Sequence, residues 1–357
     1  VARAGNERSW YRNPVSPSPL GGEDGVRGQF PQCTQGETAA SRLRGALELR
    51  ARLNATIREF FAARGVLEVE TPILSAAANT DPNLRSFVTR FSGPLAGGPR
   101  ERFLRTSPEF AHKRLLAAGV GDCYELGRVF RDGEAGRRHN PEFTLLEWYR
   151  VGWDHHRLID ETVALVRAAL ALVGKSANVY KIPYRDLFAG TLGVDPLVAD
   201  ETRLRTVLGE VRIDPAGLGR DDWLDLLLTH RIQPAFPPDR ITVVHDFPAS
   251  QCALARIRPG EPPLAERFEL FVGTQELANG YHELADADEQ RARFAADNVR
   301  RRERGLPELP PDERLLAALA RGLPDCAGVA LGIERLLMAM TDSDDIRTVL
   351  AIPFAEA

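Results

Sequence analysis

From Arg42 to Gly65 apolar side chains recur at the three- and four-residue spacing of one helix face. Leu49, Leu53, Ile57, Phe60 and Phe61 make that face, and Gly65 closes it where a helix C-terminus favours glycine. The period then shortens. Residues 66–74 alternate apolar and polar, which predicts a strand ending near Pro72, and Phe103, Leu104, Arg105 and Thr106 predict another. Ser107 and Pro108 suit the N-cap and first position of a helix over 109–118, stopped at Gly119. Two β-rich runs, 124–131 and 142–150, flank a loop holding Asp132, Gly133, Gly136, Asn140 and Pro141, the pattern of an antiparallel hairpin. Its tip is crowded with Arg131, Asp132, Glu134, Arg137, Arg138 and His139, and its return strand carries Glu147, Trp148 and Tyr149. Such a mixture suits a site that grips a polyanion and a small polar ligand; Trp148 reads as a core aromatic.

Residues 152–240 return to helical spacing, through Leu158, Val163, Val166 and Leu170 and then around 204–208 and 222–230, which predicts a mostly helical insertion between two sheet-forming blocks. His155, His156 and His230 lie in it with no convergence legible in the sequence. Residues 241–244 predict a strand, and 266–283 a hairpin turning at Gly273 and Thr274. Glu276 and Glu283 are seven apart and so fall on opposite faces of a regular strand. They share a site only if the strand breaks, and Asn279–Gly280 suit a bulge. Glu269, in the first arm, is equally a plain surface residue. Asp286 and Glu289 mark the start of a highly charged helix over 284–304. Near the C-terminus a small-residue strand runs through Gly332 into a helix with Arg335 in its first turn, an arrangement whose free N–H groups admit phosphate.

Composition narrows the class. The 357 residues are 43% hydrophobic and 27% charged, enough for a large core. A net charge of −4 argues against a nucleic-acid backbone as the main partner. Cys33, Cys123, Cys252 and Cys326 are far apart with no C-x-x-C pair, which predicts reduced thiols in a cytoplasmic protein and no cysteine-held zinc. No apolar run reaches the length of a membrane span. Residues 1–40 are rich in Gly, Pro, Ser and charge and are expected to form a disordered tail, with one catalytic domain over 41–357.

Three blocks in order carry a resemblance. Residues 65–74 with Pro72 resemble motif 1 of the class II aminoacyl-tRNA synthetases, Phe130-Arg131 through Phe143 resemble motif 2, and Gly332-Ile333-Glu334-Arg335 resemble motif 3. The runs R-H-N-P-E-F-T and E-L-A-N-G-Y-H-E-L are similar to the lysyl enzymes. Those enzymes carry an anticodon-binding OB-fold ahead of motif 1, and the polar segment here has no run of five strands. Length and the runs SPEF, EWYR, FPASQ and GVALG instead resemble the truncated paralogues that ligate (R)-β-lysine to elongation factor P.

The resemblance implies an α+β fold with an antiparallel mixed sheet flanked by helices, a homodimer, and formation of an acyl-adenylate from ATP and Mg²⁺ before transfer to a lysine ε-amine of elongation factor P, without tRNA. It implies catalytic roles for Arg131 and Arg335 at the phosphates. Asp132, Gly133, Glu134, Asn140, Glu276, Leu277 and Gly332 would complete the ATP site. Ser107, Pro108, Glu109, Tyr149 and Glu283 would hold the amino acid, and Glu276 and Glu283 would serve the metal. Two positions depart from the pattern. Ala330 stands where lysyl enzymes have glycine, a methyl group able to shift amino-acid selectivity by ~1–3 kcal/mol. Gly133 stands where motif 2 has glutamate, with Glu134 one place later. The rival readings are a truncated lysyl-tRNA synthetase and a catalytically silent ligand sensor; the retained Arg131, Arg335, Glu276 and Glu283 argue against the latter.

Overall fold

The computed structural model describes residues 39–94, 98–209, 211, 213–214 and 217–357. The expected disordered tail lies outside these, apart from residues 39 and 40, which already open the first helix. That helix, α1 (Ala39–Ala62), leads to β1 (Leu67–Glu68), β2 (Leu74–Ser75), β3 (Val88–Arg90), β4 (Glu101–Leu104) and α2 (Glu109–Ala117). The predicted hairpin forms as β5 (Cys123–Phe130) and β6 (Glu142–Val151). The insertion holds α3 (His155–Ala171), β7 (Asn178–Pro183), α4 (Tyr184–Leu192), α5 (Glu201–Leu208) and α6 (Arg220–Leu227). Then come β8 (Arg240–Pro248), β9 (Ile257–Arg258), β10 (Leu264–Val272), β11 (Gln275–His282), α7 (Ala287–Glu303), α8 (Glu313–Gly322), β12 (Cys326–Gly332) and α9 (Ile333–Met340).

One sheet dominates, in the order β1-β5-β6-β12-β11-β10-β8-β7, with β9 added beside β10. Its outermost pairs, β1 with β5 and β7 with β8, are parallel; the pairs between are antiparallel. The late strand β12 sits between β6 and β11, bringing motif-like blocks from both ends of the chain side by side. Its sequence explains the place. Ala327, Val329 and Leu331 point to the apolar back face, where α1, α3 and α9 pack, while Gly328, Ala330 and Gly332 keep the front face shallow. On the back, Phe61 stacks on Tyr124 at 4.5 Å and meets Trp148 edge-on at 5.4 Å. Each such fully buried side chain contributes ~1.5–3 kcal/mol of transfer free energy. Trp148 is thus a core aromatic, its indole N–H donating to Glu161 at 3.1 Å.

Two expectations need correction. Residues 66–74 are not one strand: β1 stops at Glu68, and the chain crosses to a separate three-stranded sheet before Leu74 pairs with Leu104. The physical cause is the departure at Thr71–Pro72, where Thr71 is held by Glu125 and Arg105 and Pro72 has no N–H to give. Leu67, Ile73 and Leu74 consequently face outward. The insertion also carries an edge strand, β7, whose short run N-V-Y-K-I-P was masked by the longer helical periods around it.

Candidate active site

The site is a cavity of about 690 Å³ on the front face, bordered by the start of α2, the hairpin tip and the middle and C-terminal part of α7. Cross-strand register arranges its floor in rows. One row reads Tyr149, Gly328, Tyr281, Arg267; the next reads Glu147, Ala330, Asn279, Glu269. Gly328 is obligatory: a Cβ there would lie 2.3 Å from the Tyr149 ring and 2.5 Å from Glu283.

At one end two carboxylates converge on a buried lysine, with a third beside them. Lys113 Nζ lies 2.7 Å from both Glu109 and Glu283. Ser107 Oγ donates to Glu147 at 2.7 Å while accepting the Glu109 N–H at 3.0 Å, so it caps α2 and orders the site at once, with Pro108 one place earlier than expected, at the N-cap. Tyr149 O–H donates to the other Glu147 oxygen at 2.8 Å. Burial raises the Glu147 carboxyl, Glu109 and Glu283 add to it, Ser107 and Tyr149 pull it back, and the result is about 8. Burial opposes the Lys113 ammonium, yet Glu109 and Glu283 more than offset it and hold it charged. Burial pushes the Glu283 carboxyl up against the pull of Lys113, and its buried Oε1 has no hydrogen-bond partner among the described residues.

At the other end lie the cations. Arg131 leans over Phe143 at 5.1 Å and reaches Glu134 at 3.6 Å. Arg335, third residue of α9, donates to the Glu276 backbone at 3.1 Å and contacts His139 Nε2 at 2.8 Å. Burial and then the Arg335 charge lower the His139 pKa, which keeps that ring neutral and able to accept. Glu134, Asn140, Glu276, Leu277 and Gly332 line the cavity; Asp132 and Gly133 do not. Asp132 turns to Arg85 at 3.9 Å, and Gly133 takes φ +88°, the left-handed conformation that lets Glu134 rather than residue 133 face inward.

Glu276 and Glu283 do share the front face, but the break is elsewhere than expected. Register slips between Leu270 and Phe271, so Leu277, not Asn279–Gly280, is the extra residue. The two carboxylates do not form one metal pair: seven residues at ~3.3 Å each separate them by roughly 20 Å, and Glu283 is occupied by Lys113. Glu276 contacts Arg335 at 3.4 Å, and the carboxylate that feels its charge is Glu269, buried beside Arg267 on the facing strand. Burial raises the Glu269 carboxyl, Arg267 lowers it, and Glu276 raises it further. Two hard carboxylates that repel each other across a cavity fit a divalent cation such as Mg²⁺.

Lys113, Asn279 and Tyr281 were not singled out for the site by sequence; Glu147 was noted on the return strand without a role, and Glu269 was left open. Two had a legible signal: Glu147 is two residues from Tyr149 on a strand, and Lys113 four from Glu109 on a helix, so each shares a face with its neighbour. Of the histidines read as unconverged, His155 and His156 do meet other ligand-type groups, on the opposite face of the sheet, and His230 joins no such group among the described residues.

A long antiparallel sheet with a phosphate-suited hairpin, a strand–helix arginine and an acidic pocket between them defines a class II synthetase catalytic domain. The family model of class II tRNA synthetases (D, K and N) matches residues 37–356, and the chain belongs to that family. Among its relatives is the elongation factor P–(R)-β-lysine ligase of Vibrio cholerae, 50% identical over 314 residues, 87% of this chain and 96% of the relative. The ligases of the same name from Yersinia enterocolitica and Klebsiella pneumoniae are 47% and 48% identical over 86% and 85% of this chain and 94% and 93% of their own lengths.

Proposed function

We propose that this chain uses ATP to activate (R)-β-lysine as an acyl-adenylate and transfers it to a lysine ε-amine of elongation factor P. The observation that carries the reading is the charge at the closed end of the cavity. Three carboxylates, Glu109, Glu147 and Glu283, share this end with one ammonium, that of Lys113, so that once all three are ionised two negative charges are unmatched. A diamino acid supplies two ammonium groups, and its carboxylate then points toward Arg131 and Arg335. In the first step that carboxylate attacks the α-phosphorus and pyrophosphate leaves; in the second the acceptor amine attacks the acyl carbon and AMP leaves. Both steps gather negative charge, and preset guanidinium groups stabilise it without reorganising. Glu269 and Glu276 would hold Mg²⁺, which would neutralise phosphate charge when bound. Ala330, between Asn279 and Glu147 in register, puts its methyl beside the ammonium-binding carboxylates, where it biases the choice between β- and α-amino acids.

Exposed Leu67, Ile73, Leu74 and Val88 near the sheet edge support a homodimer through this surface. The net charge of −4 supports a protein acceptor over tRNA. No described helix is long and apolar enough to cross a membrane, and the proposed translation-factor substrate supports a cytoplasmic reaction.

The test is pyrophosphate exchange with (R)-β-lysine and α-lysine, followed by mass spectrometry of elongation factor P. Exchange that favours the β-isomer and a mass gain of one β-lysyl group on the factor are expected. Charged tRNA with no gain on the factor would establish the synthetase reading, and no exchange with either amino acid would leave a sensor.

A pH dependence follows from Glu147. Below pH about 8 its carboxyl holds a proton in the ligand-free pocket. An ammonium ligand needs the carboxylate, so binding expels that proton. Affinity is expected to rise about tenfold per pH unit up to about 8 and then level off. Calorimetry in buffers of different ionisation enthalpy will count the proton, and Glu147→Gln is expected to remove the slope; a flat profile in the parent chain would contradict the assignment.

A further inference from the structure

On the back face of the sheet, away from the cavity, a second polar cluster is assembled from three parts of the chain. His155 opens α3 just after its N-cap Asp154 and is 1% exposed. Its Nε2 lies 3.2 Å from Asp246 Oδ1, while its Nδ1 is buried with no hydrogen-bond partner among the described residues. A ring nitrogen of His155, one of His282 and a carboxylate oxygen of Glu266 lie within 4.8 Å of one another. His282 Nδ1 is 2.6 Å from Glu266, and its Nε2 is 3.0 Å from Asp325. None of His155, Glu266 or His282 lines the active-site cavity. The mechanism uses none of them.

We infer that His155, His282 and Glu266 form a binding site for a divalent transition-metal cation, with zinc as the best match, that fastens the start of α3 to β10 and β11. Four observations carry it. The donors are two imidazoles and one carboxylate, the mixed borderline set that zinc takes. The second nitrogen of His155 is fixed by Asp246, the carboxylate–histidine arrangement that orients a metal-bound ring and leaves the other nitrogen for the ion. That remaining nitrogen is the orphaned one, and a buried polar atom without a partner is costly unless something occupies it. Charge agrees: Asp154, Asp246, Glu266 and Asp325 surround the cluster against Arg256 and Arg258, so the carboxylates exceed the guanidinium groups by two. His156 lies tilted against His155 with ring centres 4.1 Å apart and meets His245 edge-on at 5.1 Å, crowding the neighbourhood with further imidazole. The ion would brace the end of β11, one residue before Glu283.

The experiment is equilibrium dialysis of the chelator-stripped full chain against Zn²⁺ without nucleotide, with metal counted by mass spectrometry. One equivalent per chain is expected, with a zinc-dependent rise in Tm. Asp246→Asn keeps the left-handed backbone at that position (φ +58°), which Asn also tolerates, and is expected to weaken binding 10- to 100-fold. His155→Phe and His282→Gln are expected to abolish both the equivalent and the Tm rise. Co²⁺ loaded into the unaltered chain reads the donor set even if those variants fail to fold. A strong visible spectrum of low coordination number without thiolate charge transfer is expected. Absence of stoichiometric zinc, unchanged binding in folded His155→Phe and His282→Gln, or a thiolate band from the cysteines would each overturn the site.

Discussion

Arg335→Ala is expected to lower pyrophosphate exchange about 100- to 1,000-fold, with folding intact. The side chain lies in the first turn of α9, where it contacts His139 and the Glu276 backbone, and it buries no apolar surface that the core requires. What it supplies is a fixed positive charge where the leaving pyrophosphate gathers negative charge. Loss of one preset group of that kind costs about 3–4 kcal/mol in the transition state. The loss should fall on kcat more than on the KM for the amino acid, whose pocket is at the other end of the cavity. Arg335→Lys should recover only part, because a single ammonium cannot present two parallel donors and cannot keep both the His139 and Glu276 contacts. Steady-state exchange kinetics with ATP and amino acid varied separately will decide it; an alanine variant with parental kcat would remove Arg335 from the chemistry.

Glu283→Gln is expected to raise the KM for the diamino acid by more than 100-fold while leaving the KM for ATP within a few-fold. Glu283 is 1% exposed, its Oε2 is 2.7 Å from Lys113 and its Oε1 is free to accept from a ligand. The amide removes one of the charges that match the second ammonium group. It also leaves Lys113 with Glu109 as its ion-pair partner, and breaking a buried pair costs ~3–5 kcal/mol. A lower Tm should therefore accompany the binding defect. Lys113→Met with Glu283→Gln removes both charges of the pair together. The double variant is expected to regain Tm without regaining affinity, which separates the structural role of the pair from recognition of the ligand. A single variant with normal amino-acid KM would contradict the pocket's charge assignment.

Much of the fold was legible. The period of Leu49, Leu53, Ile57 and Phe61 gave α1, the Gly/Asn/Pro loop gave the β5–β6 hairpin, and Gly273 with Thr274 gave the β10–β11 turn. These signals are local, because spacing reports which side of an element is apolar. The same rule failed at residues 66–74, where alternation suggested one strand. There the apolar positions Leu67 and Leu74 serve two different sheets and face outward.

The sequence by itself determined the family blocks, the phosphate-facing arginines and the candidate acids, since charge, glycine placement and capping residues are written locally. The tertiary structure decided which acids meet. Leu277 as the extra residue in β11 turns Glu276, opposite Phe271 in register, to the face that carries Glu269, and the insertion of β12 between β6 and β11 lines up Glu147, Ala330 and Asn279 in one row. Lys113 meets Glu283 across 170 residues, and His155 meets His282 across 127. A single skipped pairing or a strand inserted from far along the chain reverses or joins whole faces, and neither leaves a periodic trace in the residues it brings together.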